Sequence, residues 1–318
     1  MRVIQRRILK SVFLILATIV IGACGRAGAS GDPSDGGPTG APSIDELANA
    51  AFAGISDQTV TLENGRWEGE PFVAGGASRP RVGLVEHFRL SGDLDGDGKE
   101  ESAVLLWESS GGSGTRIYLA AAGRHGNHVE NLATAFIGDR VQVRAGWVAG
   151  ARVILDLIEA GPGDAACCPT QKVTKTWALD AEGLKLVSTE ITGTLSVADL
   201  SGPEWVLAEL GRDRPVDDGV EITLDFEEDR AAGTGGCNRY FGTVNSERPG
   251  ELRFSGMGAT RMACPEPAMD LEQRYLSALA GATGYSFLAG RLVLSCDTED
   301  GPVALIFAPR RKPLPTYQ

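Results

Sequence analysis

Through most of this chain, apolar and polar side chains alternate with a period of two. Val82, Leu84, Phe88 and Leu90 alternate with Gly83, Val85, His87 and Arg89, which assigns the first set to one face of a strand. Residues 103–107 (AVLLW) are continuously apolar, residues 116–121 (RIYLAA) form another run, and Val153, Leu155 and Leu157 alternate again. Val173, Trp177 and Leu179 repeat the pattern, with Lys175 interrupting their face. Turns at Gly111-Gly112-Ser113-Gly114 and Gly161-Pro162-Gly163 separate the runs. A meandering antiparallel sheet or sandwich is therefore expected over residues 44–193.

A second unit starts near Leu200. Residues 205–210 (WVLAEL) read as a strand, and Val220, Ile222, Leu224 and Phe226 alternate with Glu221, Thr223 and Asp225. The period then changes: Leu271, Tyr275, Leu276 and Leu279 make one apolar stripe over residues 268–280, and Gly281 stops the helix. Residues 291–296 (RLVLSC) and 303–307 (VALIF) close the unit, and a polar tail occupies 311–318. At the other end, Ser43 and Glu46 form a capping box for a short helix expected over 44–53, with Gly54 as its stop. The expected fold class is mainly β with a minor α contribution, in two antiparallel β-rich domains at 44–193 and 198–310.

The amino terminus speaks to compartment. Arg2, Arg6, Arg7 and Lys10 precede an apolar run at residues 12–21 (VFLILATIVI), too short to span a bilayer and suited to a secretory signal. It ends in Ile21-Gly22-Ala23-Cys24, which resembles the bacterial lipoprotein box. The resemblance implies a signal peptide at 1–23, cleavage before Cys24 and acylation of that residue, so the membrane is a partner through lipid on Cys24. More than one acyl chain is needed for durable anchoring, since each buried methylene contributes about 0.8 kcal/mol. Gly25 follows Cys24, and an aspartate there would have argued for inner-membrane retention. The expected location is the cell envelope, at the periplasmic face of the outer membrane in a Gram-negative cell. Residues 24–43 carry many Gly, Pro and Ser and few apolar side chains, as a flexible tether would.

Charge narrows the partners. The chain carries −12, and cleavage before Cys24 would remove four cationic residues and no acid, leaving −16. Phosphates would be repelled, so nucleic acid is not an expected partner.

Residues 233–242 (GTGGCNRYFG) and 259–265 (ATRMACP) follow one another in order, then the helix with Met269, Leu271, Glu272 and Tyr275, then Leu292-Val293-Leu294. With the opening Trp205 and the closing Phe307-Ala308-Pro309, this resembles the META domain of HslJ-type heat-shock proteins over 198–310. The resemblance implies a small antiparallel β-domain with one helix, found in bacterial envelope proteins and linked to stress and drug tolerance, and it carries over no catalytic residue. It also implies a Cys237–Cys264 disulfide, because each cysteine ends a family motif. Cys296 departs from the family pattern. Asn238, Arg239 and Tyr240 are the polar cluster of this unit, either as a weak binding candidate or as ties for the Gly-rich loop. Residues 59–190 are similar to an uncharacterised module of other envelope lipoproteins, through Glu63-Asn64-Gly65-Arg66-Trp67, Ile137-Gly138-Asp139-Arg140-Val141 and Cys167-Cys168-Pro169; no activity comes with that.

The remaining chemistry lies in residues 92–101 (GDLDGDGKEE). Asp93, Asp95 and Asp97 take positions one, three and five of a calcium loop, Gly98 six, Lys99 a carbonyl at seven and Glu101 nine. Position twelve is Val104 and a strand follows, so the loop resembles those of FG-GAP-type β repeats rather than an EF-hand. Two readings stand: a calcium loop, with calcium the cofactor, or a metal-free acidic β-turn. Cys167 and Cys168 are adjacent, a spacing not expected to close on itself, and an odd number of cysteines remains beside Cys24. His125 and His128 have metal-ligand spacing but would supply only two ligands. Neither a P-loop nor a dinucleotide fingerprint occurs. Ser113 lacks a hydrolase-elbow context. The expected protein is not an enzyme but a lipid-anchored envelope protein with a non-catalytic META domain, which binds a protein, glycan or small molecule in envelope maintenance or stress. The alternatives are a metal-dependent enzyme using the acidic loop or His125/His128, and a structural spacer.

Overall fold

The computed structural model describes residues 40–310 except 113, 166, 212–213 and 217–218. The expected signal peptide, Cys24, most of the expected tether and the tail 311–318 lie outside the described residues. Helix α1 (Ile44–Leu47) opens with the Ser43/Glu46 capping box. It ends after one turn, short of the expected Ala53. Its next carbonyl, on Ala48, is claimed by Gly65 N at 2.7 Å, and Asn49 Oδ1 accepts from Asn64 N at 3.1 Å. The Asn64-Gly65 pair, both at positive φ, makes the tight turn that brings those amides in. The chain then forms the short pair β1 (Ala51–Phe52) and β2 (Val60–Thr61).

Five strands build the first sheet, in the order β3-β4-β5-β6-β7: β3 (Arg66–Glu68), β4 (Arg81–Gly92), β5 (Glu101–Ser109), β6 (Arg116–His125) and β7 (His128–Asp139). Four more make the second sheet, ordered β11-β10-β9-β8: β8 (Gln142–Val148), β9 (Arg152–Glu159), β10 (Gln171–Asp180) and β11 (Gly183–Thr194). The first sheet is covered on both faces. Leu105, Leu119 and Ala121 pack against Val153, Leu155, Val173 and Trp177 of the second sheet, while Val104, Leu106 and Ala120 pack against Leu47, Phe52 and Val60. This is why residues 103–107 are apolar without alternation. Lys175, the interruption on β10, pairs its ammonium with Glu159.

One expectation needs correction. Val82, Leu84, Phe88 and Leu90 do not share a face. Between Leu84 (opposite Leu106) and Arg89 (opposite Val104) the register of β4 jumps. Extra residues bulge out there, and a bulge reorients the strand beyond it. Val82 and Leu84 therefore join the core under α1, whereas Phe88 joins the sandwich core with Leu90 packed against it.

The carboxy-terminal module is one antiparallel sheet ordered β16-β15-β14-β13-β12-β19-β18-β17. Its strands are β12 (Glu204–Leu210), β13 (Thr223–Glu227), β14 (Arg230–Thr234), β15 (Arg239–Asn245), β16 (Arg253–Ala259), β17 (Ala282–Leu288), β18 (Arg291–Thr298) and β19 (Gly301–Arg310), with α2 (Ala268–Ala280) between β16 and β17. The sheet curls until its edges meet: Glu251 bridges Gly284, and Tyr285 N donates to Gly250 O at 2.8 Å. Tyr275, Leu279, Phe226, Leu294 and Phe307 fill the interior. The fold is thus mainly β, in two β-rich modules, as the periodicity implied.

The modules share side chains. Ile158 of β9 and Leu195 belong to the carboxy-terminal core, and Ala289 to the sandwich core. Phe287 N donates to Gln142 Oε1 and Gly290 N to Val143 O, each at 2.9 Å. Among the described residues no helix is long and apolar enough to cross a membrane.

Candidate functional site

Three places concentrate polar chemistry. The first is the acidic loop between β4 and β5. Asp93, Asp95 and Glu101 bring one carboxylate oxygen each to within 4.8 Å of one another. Asp93 Oδ1 accepts from Gly96 N at 2.7 Å and Oδ2 from Gly98 N at 3.1 Å, which holds the loop in a tight coil. Glu101 is buried at the start of β5 and accepts from Leu94 N at 2.8 Å. Burial pushes its carboxyl above the ordinary carboxylate range; the Leu94 amide opposes that, and the neighbouring aspartates add to it. Asp97 stands outside the trio: its carboxylate accepts from Lys99 N at 2.7 Å and lies 3.4 Å from Lys99 Nζ. Of the four carboxylates expected as ligands, the fold gathers three. Carboxylates crowded in this way favour a hard divalent cation, whose charge would offset the burial of Glu101.

The second is the Gly-rich turn before β15. Asn238 is buried and fully used: Oδ1 accepts from Met262 N at 2.6 Å and Thr260 Oγ1 at 2.8 Å, and Nδ2 donates to Glu272 Oε1 at 2.8 Å. Glu272 reaches in from α2, 6 % exposed, and its Oε2 accepts from Cys237 N at 3.1 Å and Asn238 N at 2.5 Å. A Cβ at Gly235 would meet that carboxylate at 2.8 Å, so only glycine lets the turn close on it. Tyr240 is buried too, donating from its hydroxyl to Thr223 O at 2.7 Å, with Tyr275 Oη 2.6 Å away. Burial raises the Tyr240 phenol well above its ordinary value. Arg239, between them, is exposed. Asn238, Arg239 and Tyr240 therefore do not converge on a common cavity. Glu272 is the residue that the polar-cluster reading missed, and its signal was present: an acid set among Leu271, Tyr275, Leu276 and Leu279.

The cysteines divide as follows. Cys237 is bonded to Cys264, which ties the Gly-rich turn to the segment before α2. Cys167 and Cys168 are bonded to each other, which corrects the expectation that they would not pair. Cys296 is the free thiol among the described residues, buried, its pKa pushed up to about 12 by burial, so it is poorly reactive. His125 and His128 face each other across the β6–β7 hairpin, both exposed. No other His, Cys, Asp or Glu closes a three-ligand group with them among the described residues.

The third place is the seam between the modules, where a cleft of about 730 Å³ opens. One wall is made by residues 163–165 and 167–170 with the Cys167–Cys168 disulfide, the other by the Arg248–Glu251 turn, and Tyr285 and Ser286 lie between. Asp164 anchors the first wall by accepting from Gly161 N at 2.8 Å and Thr170 N at 2.7 Å. These amides hold its carboxyl below the usual range. A second cleft, of about 500 Å³, is lined by residues that include His87, Arg144, Trp205 and Phe287.

The fold and these sites define a two-module β-protein whose second module is a curled eight-stranded sheet carrying one long helix. That second module is a META domain: residues 198–309 match the family model of that name. Two solved structures are similar to parts of the chain. One is an NMR structure of a protein from Burkholderia xenovorans, 31% identical, covering 36% of this chain and 85% of its own, with a TM-score of 0.30. The other is an NMR structure 24% identical, covering 35% of this chain and 93% of its own, with a TM-score of 0.29. No curated protein matches.

Proposed function

We propose that this is a lipid-anchored protein of the bacterial cell envelope that binds a ligand without transforming it, in envelope maintenance or stress response. The observation that carries the binding role is the cleft of about 730 Å³ at the seam of the two modules. Its size falls within the roughly 300–1,000 Å³ of small-ligand sites, and junctions of modules are where such sites recur. The META domain matched over residues 198–309 is compatible with an envelope setting. Cys24 supplies the anchor, and the membrane is the partner on that side. Calcium is the proposed cofactor, held by Asp93, Asp95 and Glu101, in a bracing role that fixes the β4–β5 turn.

Two experiments test this. Cys24→Ser should move the protein from the membrane fraction to the soluble fraction; retention in membranes would refute the anchor. Crosslinked envelopes should yield a specific partner or ligand that is lost when the cleft is blocked. Recovery of neither would leave a spacer between membrane and periplasm.

A further inference from the structure

Much of the hydrogen-bonding capacity around the seam cleft is unspent. The hydroxyls of Ser286 and Ser295 meet no described partner, and Gln142 uses only its Oε1, on Phe287 N. The Tyr285 hydroxyl is closed off within the carboxy-terminal core and is not available to the cleft. Ser286, Ser295 and Gln142 are neutral, and the two serine hydroxyls can both donate and accept.

The charged groups at the cleft are already occupied. Arg248 is paired with Glu251, and Asp164 is saturated by Gly161 and Thr170. With one cation balanced by a carboxylate, and a chain at −12 overall, nothing here favours an anion. An added peptide strand has no ladder to join either, because the amides of Tyr285 and Phe287 on the edge strand β17 are taken by Gly250 O and Gln142 Oε1. The other wall is different in kind. Bonded to each other, Cys167 and Cys168 close a ring with the peptide between them, a polarisable face with no strong donor, and Pro169 and Pro249 extend the apolar lining.

An apolar face opposite neutral donor–acceptor groups matches a sugar ring, which has a C–H face and a rim of hydroxyls. We infer that the seam cleft binds an uncharged glycan, with a sugar face on the Cys167–Cys168 disulfide and its hydroxyls on Ser286, Ser295 and Gln142. This rests on the binding reading above and names its ligand class.

The test uses the full chain purified in a zwitterionic, non-glycosidic detergent and titrated calorimetrically. The panel is neutral oligosaccharides of glucose, galactose and N-acetylglucosamine, uronic-acid counterparts, and tripeptides. A neutral oligosaccharide should bind. Ser286→Ala with Ser295→Ala should weaken it at least tenfold, Ser295→Trp should abolish it, and Cys167→Ser with Cys168→Ser should weaken it, each with an unchanged circular-dichroism spectrum. Binding of uronic-acid sugars or peptides alone, or neutral-sugar binding that survives Ser295→Trp, would overturn the glycan inference while leaving a binding protein. No binding across the panel would overturn it as well. The binding function itself would fail only if the crosslinked envelopes also yielded nothing.

Discussion

Glu272 shows how much one side chain can carry. It is buried, on the apolar side of α2, and accepts from the Cys237 amide, the Asn238 amide and the Asn238 side chain. Removing it strands buried donors, each costing about 1–3 kcal/mol. Glu272→Ala should therefore destabilise the protein by about 3–5 kcal/mol in urea unfolding, whereas Arg239→Ala, a change to an exposed side chain, should stay within about 0.5 kcal/mol. Equal losses would refute this division of roles. In the acidic loop, calcium should raise the melting temperature of the wild type, and Asp95→Ala should remove the rise. A wild type indifferent to calcium would leave an ordinary acidic turn. The Asp93–Glu101 cluster was readable as a motif, because its ligands sit at alternate positions of one loop. Withdrawal of Asp97 toward Lys99 was not, since spacing does not say which neighbour a carboxylate prefers.

At the level of elements, α1 illustrates a pH-dependent clasp. Glu46, its capping-box acid, is gripped by Arg124 of β6 through a fork, Nη1 to Oε1 at 2.8 Å and Nη2 to Oε2 at 2.6 Å. Arg124, with the Ser43 amide, holds the Glu46 carboxyl down from its ordinary 4.5 to about 2. A depressed folded value means that the stability from this pair is full above pH 4.5 and is lost as pH falls toward 2. Glu46→Gln should accordingly lower the melting temperature at pH 7 and flatten its fall between those values. An acid limb as steep as that of the wild type would rule the clasp out. Strand β4 carries a different lesson. Its alternation was legible, but periodicity assumes an unbroken ladder, and the bulge between Leu84 and Arg89 sends the two halves to different cores.

For the molecule as a whole, the two modules are tied by shared burial. Ile158, fully buried on a strand of the first module, packs in the core of the second. Ile158→Ala should cost about 2–5 kcal/mol, and wild-type unfolding should give one calorimetric transition. Two separated transitions, with only one moved by the substitution, would show independent modules. The seam cleft could not be read in advance, because its walls come from segments near residues 142, 164–170, 248–251 and 284–295, which are remote in sequence.

Local order came from the sequence alone. Period-two runs marked the strands, the stripe of Leu271, Tyr275, Leu276 and Leu279 marked α2, and Ser43 with Glu46 marked the start of α1; each depends on contacts within a few residues. The ordered motifs from Trp205 to Pro309 likewise pointed to the META domain that the family match identifies. Tertiary structure alone decided which face each half of β4 buries, that Cys167 bonds Cys168, that Glu272 anchors the Gly-rich turn, and that a cleft opens at the seam. Each of these is settled by partners far along the chain or by backbone geometry in a turn, and side-chain periodicity does not encode either.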